Sequence, residues 1–303
     1  LILCAASFAE SEPLAEGLVM EPAIGQAVFA GAGDAANAFA LSLETKDTEM
    51  FSQLLGADYQ QVLPVDEMDS EDVERFVAAW KKSNTLMPEG DNKMLLVVGE
   101  NKWTLPIPIV NGASGWYFDM EEGLERMRIR RIGRNELATM QAVLAYYDAQ
   151  MEYAEQDLDG NGVLDYAQKF VSTPGTRDGL YWEVDPGAEP SPLGPLMADH
   201  TAGGGYHGYF YRILNAQGEH AQGGAYSYVI GDKMRAGFAL IAWPAEYGDS
   251  GVMSFMVSHA GIVYEQDLGP DGADIAKNMQ LYDPAPGWRP SQEVNGPEAG
   301  AGR

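Results

Sequence analysis

The stretch from Asp157 to Gln168 carries the most specific chemistry in the chain. Asp157, Asp159, Asn161, Val163, Asp165 and Gln168 stand at positions one, three, five, seven, nine and twelve of that stretch. These are the ligand positions of an EF-hand-type loop, in which Val163 offers its backbone carbonyl and Gly162, at position six, allows the sharp turn. Hard oxygen donors at this spacing suit calcium. Gln168 departs from the pattern, because it offers one neutral oxygen where a bidentate Glu normally stands, so a site here is weaker and less charged. Extracellular calcium modules work with dissociation constants of about 10⁻⁴ to 10⁻³ M, which a weakened loop still reaches. The competing reading is an Asp/Asn/Gly-rich turn that binds nothing. A structural clamp is expected rather than a switch, since sensing needs a paired, bistable element.

Other reactive residues form no recognisable set. The four histidines, His200, His207, His220 and His259, match no metal-ligand spacing such as HExxH. Ser250, in YGDSGVM, lacks the flanking glycines of a nucleophile elbow and reads as a turn residue. Arg177, Asp178 and His207, on a long loop, are the best remaining polar candidates for an enzymatic or ligand-binding cleft between domains. Tyr206, Tyr209, Tyr211, Tyr226, Tyr228 and Trp243 could line a sugar- or peptide-binding face, but alternating aromatics also occur on ordinary sheets. GAGDAA and TAGGGYHG lack the strand and the lysine of a phosphate-cradling loop.

The chain has 303 residues, 46% hydrophobic and 21% charged, with a formal charge of −26. That composition is globular and long enough for two domains. The acidity repels phosphate backbones, so nucleic acid is not an expected partner. Residues 1–9, LILCAASFA, resemble the end of a signal segment, with Ser7 and Ala9 as the small residues before a cleavage point. Export to the periplasm or the medium is therefore expected, with lipid anchoring at Cys4 as the alternative. No other stretch is apolar enough for a membrane-spanning helix.

Periodicity places a helix after Asp34, expected as its cap, and a second from about Thr48 to Leu55, stopped by Gly56. A third follows Ser70. MLLVVG, KWTLPIPIV and GWYFD read as strands, with Asn111-Gly112 as a hairpin turn. A helix capped by Asn135 should bury Leu137, Met140, Leu144, Tyr147 and Met151. YAQKF is a short possible helix after the acidic loop. Residues 171–205 read as an irregular, proline-rich excursion. YHGYFYRIL, AYSYVI, AGFALIAW, VMSFMVS and GIVY read as an antiparallel meander.

WTLPIPIV, RRIGRNELATMQAVLAYYDAQMEYA, DLDGNGVLDYAQKFVSTPGTRDGLYW, YHGYFYRIL and PAEYGDSGVMSFMVSHAGIVYEQDLGP together resemble the bacterial family known as domain of unknown function 2950. That family is uncharacterised, so the resemblance implies no activity. In layout, the first third is similar to domains of the nuclear transport factor 2 type. The later part resembles the globular heads of type IV pilins and pseudopilins. A pilin carries an apolar helix at its mature N-terminus. Here the matching helix opens with Arg128, Arg130, Arg131 and Arg134 and follows another domain, so it cannot polymerise as a pilin does.

The expected fold is α+β. Its parts are a signal remnant at 1–9, a linker at 10–27, a cone-like helix-plus-sheet domain at 28–125, a pilin-head-like domain at 126–282 and a mobile tail at 283–303. The expected function is a non-enzymatic, calcium-binding interaction or scaffold protein of the cell envelope with a protein partner. The alternative is an envelope hydrolase or a small-ligand-binding enzyme.

Overall fold

The computed structural model describes residues 21–56, 70–158, 160, 162–185, 187–194 and 205–295. The signal remnant with Cys4, Asp159, Asn161, His200 and residues 296–303 lie outside them. The fold is α+β, with antiparallel strand pairing throughout its sheets. The chain divides into two compact units, up to Met127 and from Arg128 onward.

In the first unit, α1 (Ala32–Thr45) and α2 (Thr48–Leu55) precede α3 (Ser70–Lys82). Gly31 occupies the N-cap of α1, and Asp34, expected as the cap, sits in the first turn, where a negative charge suits the helix dipole. Asp47 caps α2 by accepting the Met50 N–H at 2.9 Å. The strands are β1 (Asn84–Pro88), β2 (Lys93–Val98), β3 (Trp103–Thr104), β4 (Ile109–Gly112) and β5 (Gly115–Phe118). They pair in the order β1-β2-β4-β5, with β3 also on β2. Phe39 of α1 sits between Phe51 and Phe118, with ring centroids 5.5 and 5.3 Å away. The hairpin turn is Ala113-Ser114, because Asn111 and Gly112 pair with Trp116 and Gly115 and so belong to the ladder.

α4 (Met120–Tyr153) crosses the division, giving Met120–Met127 to the first unit and the rest to the second. Asp119 Oδ1 accepts the Glu122 N–H at 3.0 Å at its start, so Asn135 is not a cap but a residue within the helix. Its amide instead donates to the Ser250 carbonyl at 2.8 Å. The buried stripe is also turned from the expected one. Met140, Val143, Tyr146, Gln150 and Tyr153 face inward, while Leu137 and Met151 are exposed. Gln150, polar but fully buried, explains the shift: its amide donates to the Ala167 carbonyl at 2.8 Å and accepts the Ala167 N–H at 2.9 Å.

The second unit's main sheet comprises β6 (Tyr209–Leu214), β11 (Ala239–Pro244), β12 (Met253–Ser258), β13 (Tyr264–Asp267) and β14 (Arg289–Pro290). Its order is β14-β13-β12-β11-β6. β7 (Ala216–Gln217) pairs with β8 (Tyr226–Ser227), and β9 (Val229–Ile230) with β10 (Lys233–Met234), as two small separate sheets. AYSYVI therefore stays out of the large sheet, cut short by Gly223, Gly224 and Gly231 in left-handed conformations. β11 is buried along its whole length. Fully burying side chains such as Ile241, Phe238 and Phe255 contributes about 1.5–3 kcal/mol each.

Residues 283–295, expected within a mobile tail, are packed instead. β14 pairs with β13, and Ser291 is fully buried. In α6 (Gln292–Asn295), which follows α5 (Gly272–Asn278), the Asn295 amide donates to the Val263 carbonyl at 2.7 Å. Among the described residues no helix is long and apolar enough to cross a membrane.

Candidate functional site

The acidic loop begins a few residues after α4 and is fixed at its exit. Asp157 Oδ2 accepts the Gly162 N–H at 2.8 Å, and Gly162 adopts φ +84°. The turn at position six therefore folds back onto the first carboxylate and points it into the loop. Asp165 is buried. Gln168 Nε2 donates to the Asp232 carbonyl at 2.8 Å, which leaves its amide oxygen as the only coordinating atom of that side chain. Past the loop, Tyr166 bridges Met234 and Ala167 is held by Gln150, so YAQKF is not a helix and the motif is not helix–loop–helix. Among the described residues no three His, Cys, Asp or Glu side chains gather as a metal-holding group, and Asp159 and Asn161 of the loop lie outside those residues. Calcium here would be held by carboxylate, amide and carbonyl oxygens, and it would supply charge neutralisation and a cross-link across the turn.

Arg177 borders a small recess that neither Asp178 nor His207 lines. Asp178 closes its own loop, accepting from Thr173 N–H at 2.7 Å, the Thr173 and Thr176 hydroxyls at 2.9 Å each and Lys169 Nζ at 2.5 Å. Burial alone would raise its pKa, but these four bonds hold it well below the usual carboxylate range. The Arg177 guanidinium lies 5.2 Å over the Trp182 ring and borders a recess of about 30 Å³. His207 is exposed in a left-handed conformation, φ +52°, its ring 4.1 Å from that of Tyr206. Ser250 Oγ accepts the Glu246 N–H at 3.0 Å within a turn. Of the aromatic set, Tyr209, Tyr211, Tyr228 and Trp243 belong to the core.

Two histidines that no spacing had linked border one cavity of about 990 Å³. Its walls come from three separate segments, Gln217–Gln222, Ser258–Tyr264 and Tyr282–Pro290. Asp283 accepts the His220 backbone N–H at 2.8 Å and lies 3.0 Å from the ring Nδ1, leaving Nε2 as the outer nitrogen of that ring. Gly218 makes room for this clamp, because a Cβ there would lie 2.3 Å from Asp283 Cγ. Gln217, almost wholly buried, ties the loop together, donating to the Gln222 and Gly224 carbonyls at 2.8 and 2.7 Å and accepting from the Tyr228 hydroxyl at 3.0 Å. The His259 ring lies where a side chain on Gly237 would have to stand, its Nδ1 2.5 Å from the position of a Cβ there, with Nε2 3.4 Å from the Tyr226 hydroxyl. Burial lowers its pKa, partly offset by the Phe238 carbonyl.

Two five-stranded antiparallel sheets, each with its own helices and its own core, define a two-unit α+β protein in which the acidic loop and the large cavity both lie in the second unit. The chain belongs to the family described as protein of unknown function (DUF2950), which it matches over residues 26–291. It matches no curated protein and no solved structure.

Proposed function

We propose that the chain is an exported, non-enzymatic interaction or scaffold protein of the bacterial cell envelope whose second unit is clamped by calcium. The observation that carries this reading is the bond from Gly162 N–H to Asp157 Oδ2, which turns the first ligand carboxylate into a loop of EF-hand spacing. Support for a clamp rather than a switch comes from the exit of the loop, where the Gln150 side-chain amide holds the Ala167 backbone and the Met234 carbonyl accepts the Tyr166 N–H. The apolar, small-residue pattern at 1–9 supports export, and a calcium-rich exterior suits a loop weakened by Gln168.

The test is thermal unfolding of the full chain in chelator and then in calcium, with magnesium and an Asp157→Ala, Asp159→Ala variant as controls. At about 10 mM calcium, a site of the expected affinity adds roughly 1.4–2.7 kcal/mol. The midpoint should rise with calcium, less with magnesium, and not in the variant. An unchanged midpoint in calcium reduces Asp157 to Gln168 to a turn and removes the basis of the proposal.

A further inference from the structure

The 990 Å³ cavity of the second unit has the wall chemistry of a cation receptor. Among the described residues no lysine or arginine lines it, whereas Glu219 does, and the Asp283 carboxylate stands behind His220. An anion entering it would meet no guanidinium or ammonium group to replace its water. An apolar ligand would strip water from Glu219, His220 and Gln222 without offering them partners. Three aromatic residues complete the walls: Tyr264, Tyr282 and Trp288. Tyr264 and Tyr282 meet edge to face, with centroids 6.4 Å apart at 75°, rather than stacking on each other.

Ring faces carry negative potential and attract an organic cation that is only weakly hydrated, most strongly at Trp. The net charge of −26 concentrates cations around the molecule and so raises their rate of arrival. The walls are also assembled in advance. Tyr282 N–H donates to the Ala216 carbonyl at 2.9 Å, and Gly218 N–H to the Tyr282 carbonyl at 2.9 Å. Tyr264 pairs across the sheet with Pro290, two residues after Trp288. A receptor held by backbone bonds loses little conformational entropy when it binds.

We propose that this cavity binds an organic cation, an ammonium or guanidinium group, through Trp288, Tyr264, Tyr282 and the carboxylate of Glu219. The group has two sources, a free small molecule such as a quaternary amine or a basic side chain presented by a partner protein. The site is independent of the acidic loop, so its success or failure is separable from that of the calcium reading.

Calorimetric titration of the full chain at about 0.15 M salt, where diffuse attraction is screened, decides the matter. The probes are choline, its uncharged isostere 3,3-dimethylbutan-1-ol, arginine methyl ester and N-acetylglucosamine. Saturable binding of choline or of the arginine ester is expected, with the isostere at least tenfold weaker. Preference for choline indicates a free amine, and preference for the arginine ester a peptide source. Trp288→Ala and Glu219→Gln should each weaken binding about tenfold, Trp288→Phe by less, and Asp157→Ala not at all. Glu219 is exposed, so Glu219→Gln gives an answer even if Trp288→Ala fails to fold. No binding of either cation, equal binding of the isostere, or binding of N-acetylglucosamine alone overturns the proposal.

Discussion

Asp178 and Gly218 show how single residues hold this molecule's loops, one by accepting bonds and the other by having no side chain. The folded-state pKa of Asp178 is depressed, so its contribution is present above the ordinary carboxylate range and is lost as pH falls through about 4 and below. Asp178→Asn should therefore lower the unfolding midpoint at pH 7 and flatten its fall between about pH 5 and 2, followed by circular dichroism. In Gly218→Ala the new methyl must displace Asp283. A loss of about 1–3 kcal/mol in denaturant unfolding is expected, together with a shifted NMR signal for the His220 ring. The acidic loop stands out in the sequence because its candidate donors are local, each fixed by its offset from Asp157. The cavity does not, because His220, His259 and Trp288 are brought together only by strand pairing. Trp288 also lay in a stretch whose prolines and glycines suggested a tail.

At the scale of elements, α2 could be read from Thr48 to Leu55 because its stop, Gly56, is a local signal. The start of α4 was missed because Met120–Arg134 has no clean apolar stripe. Its Glu, Arg, Met and Leu content is good helix material all the same. The apolar spacing of α4 points to a different face from the buried one because Gln150, though polar, is buried against Ala167, which lies beyond the acidic loop. Gln150→Leu keeps most of the volume but strands a buried N–H and a buried carbonyl on Ala167. It should cost about 2–4 kcal/mol in chemical denaturation. Asp119 poses the opposite case. Its Oδ2 is buried without a hydrogen-bond partner, and burial raises its pKa although the Glu122 N–H works against that. Asp119→Asn preserves the cap and removes the buried charge, so at pH 7 it should be neutral or stabilising. Asp119→Ala loses the cap and should cost about 1 kcal/mol. Comparing the two melts separates cap from charge.

For the whole molecule the excess of acidic residues acts against compactness, since like charges repel at every separation shorter than the screening length. Raising sodium chloride from about 0.01 to about 0.15 M should raise the melting midpoint even in the Asp157→Ala, Asp159→Ala variant. Only a calcium increment beyond that belongs to the loop. The division at Met127 and Arg128 falls inside α4 and not in a linker. Proteases cut exposed, irregular backbone, whereas here every peptide near the border is engaged in helical hydrogen bonds. Limited digestion of the native protein should therefore not release the two units by a cut at their border. For the same reason, expressing either half by truncating the gene at that border would leave a severed helix end, so a fragment intended to stand alone has to retain helix from across the division.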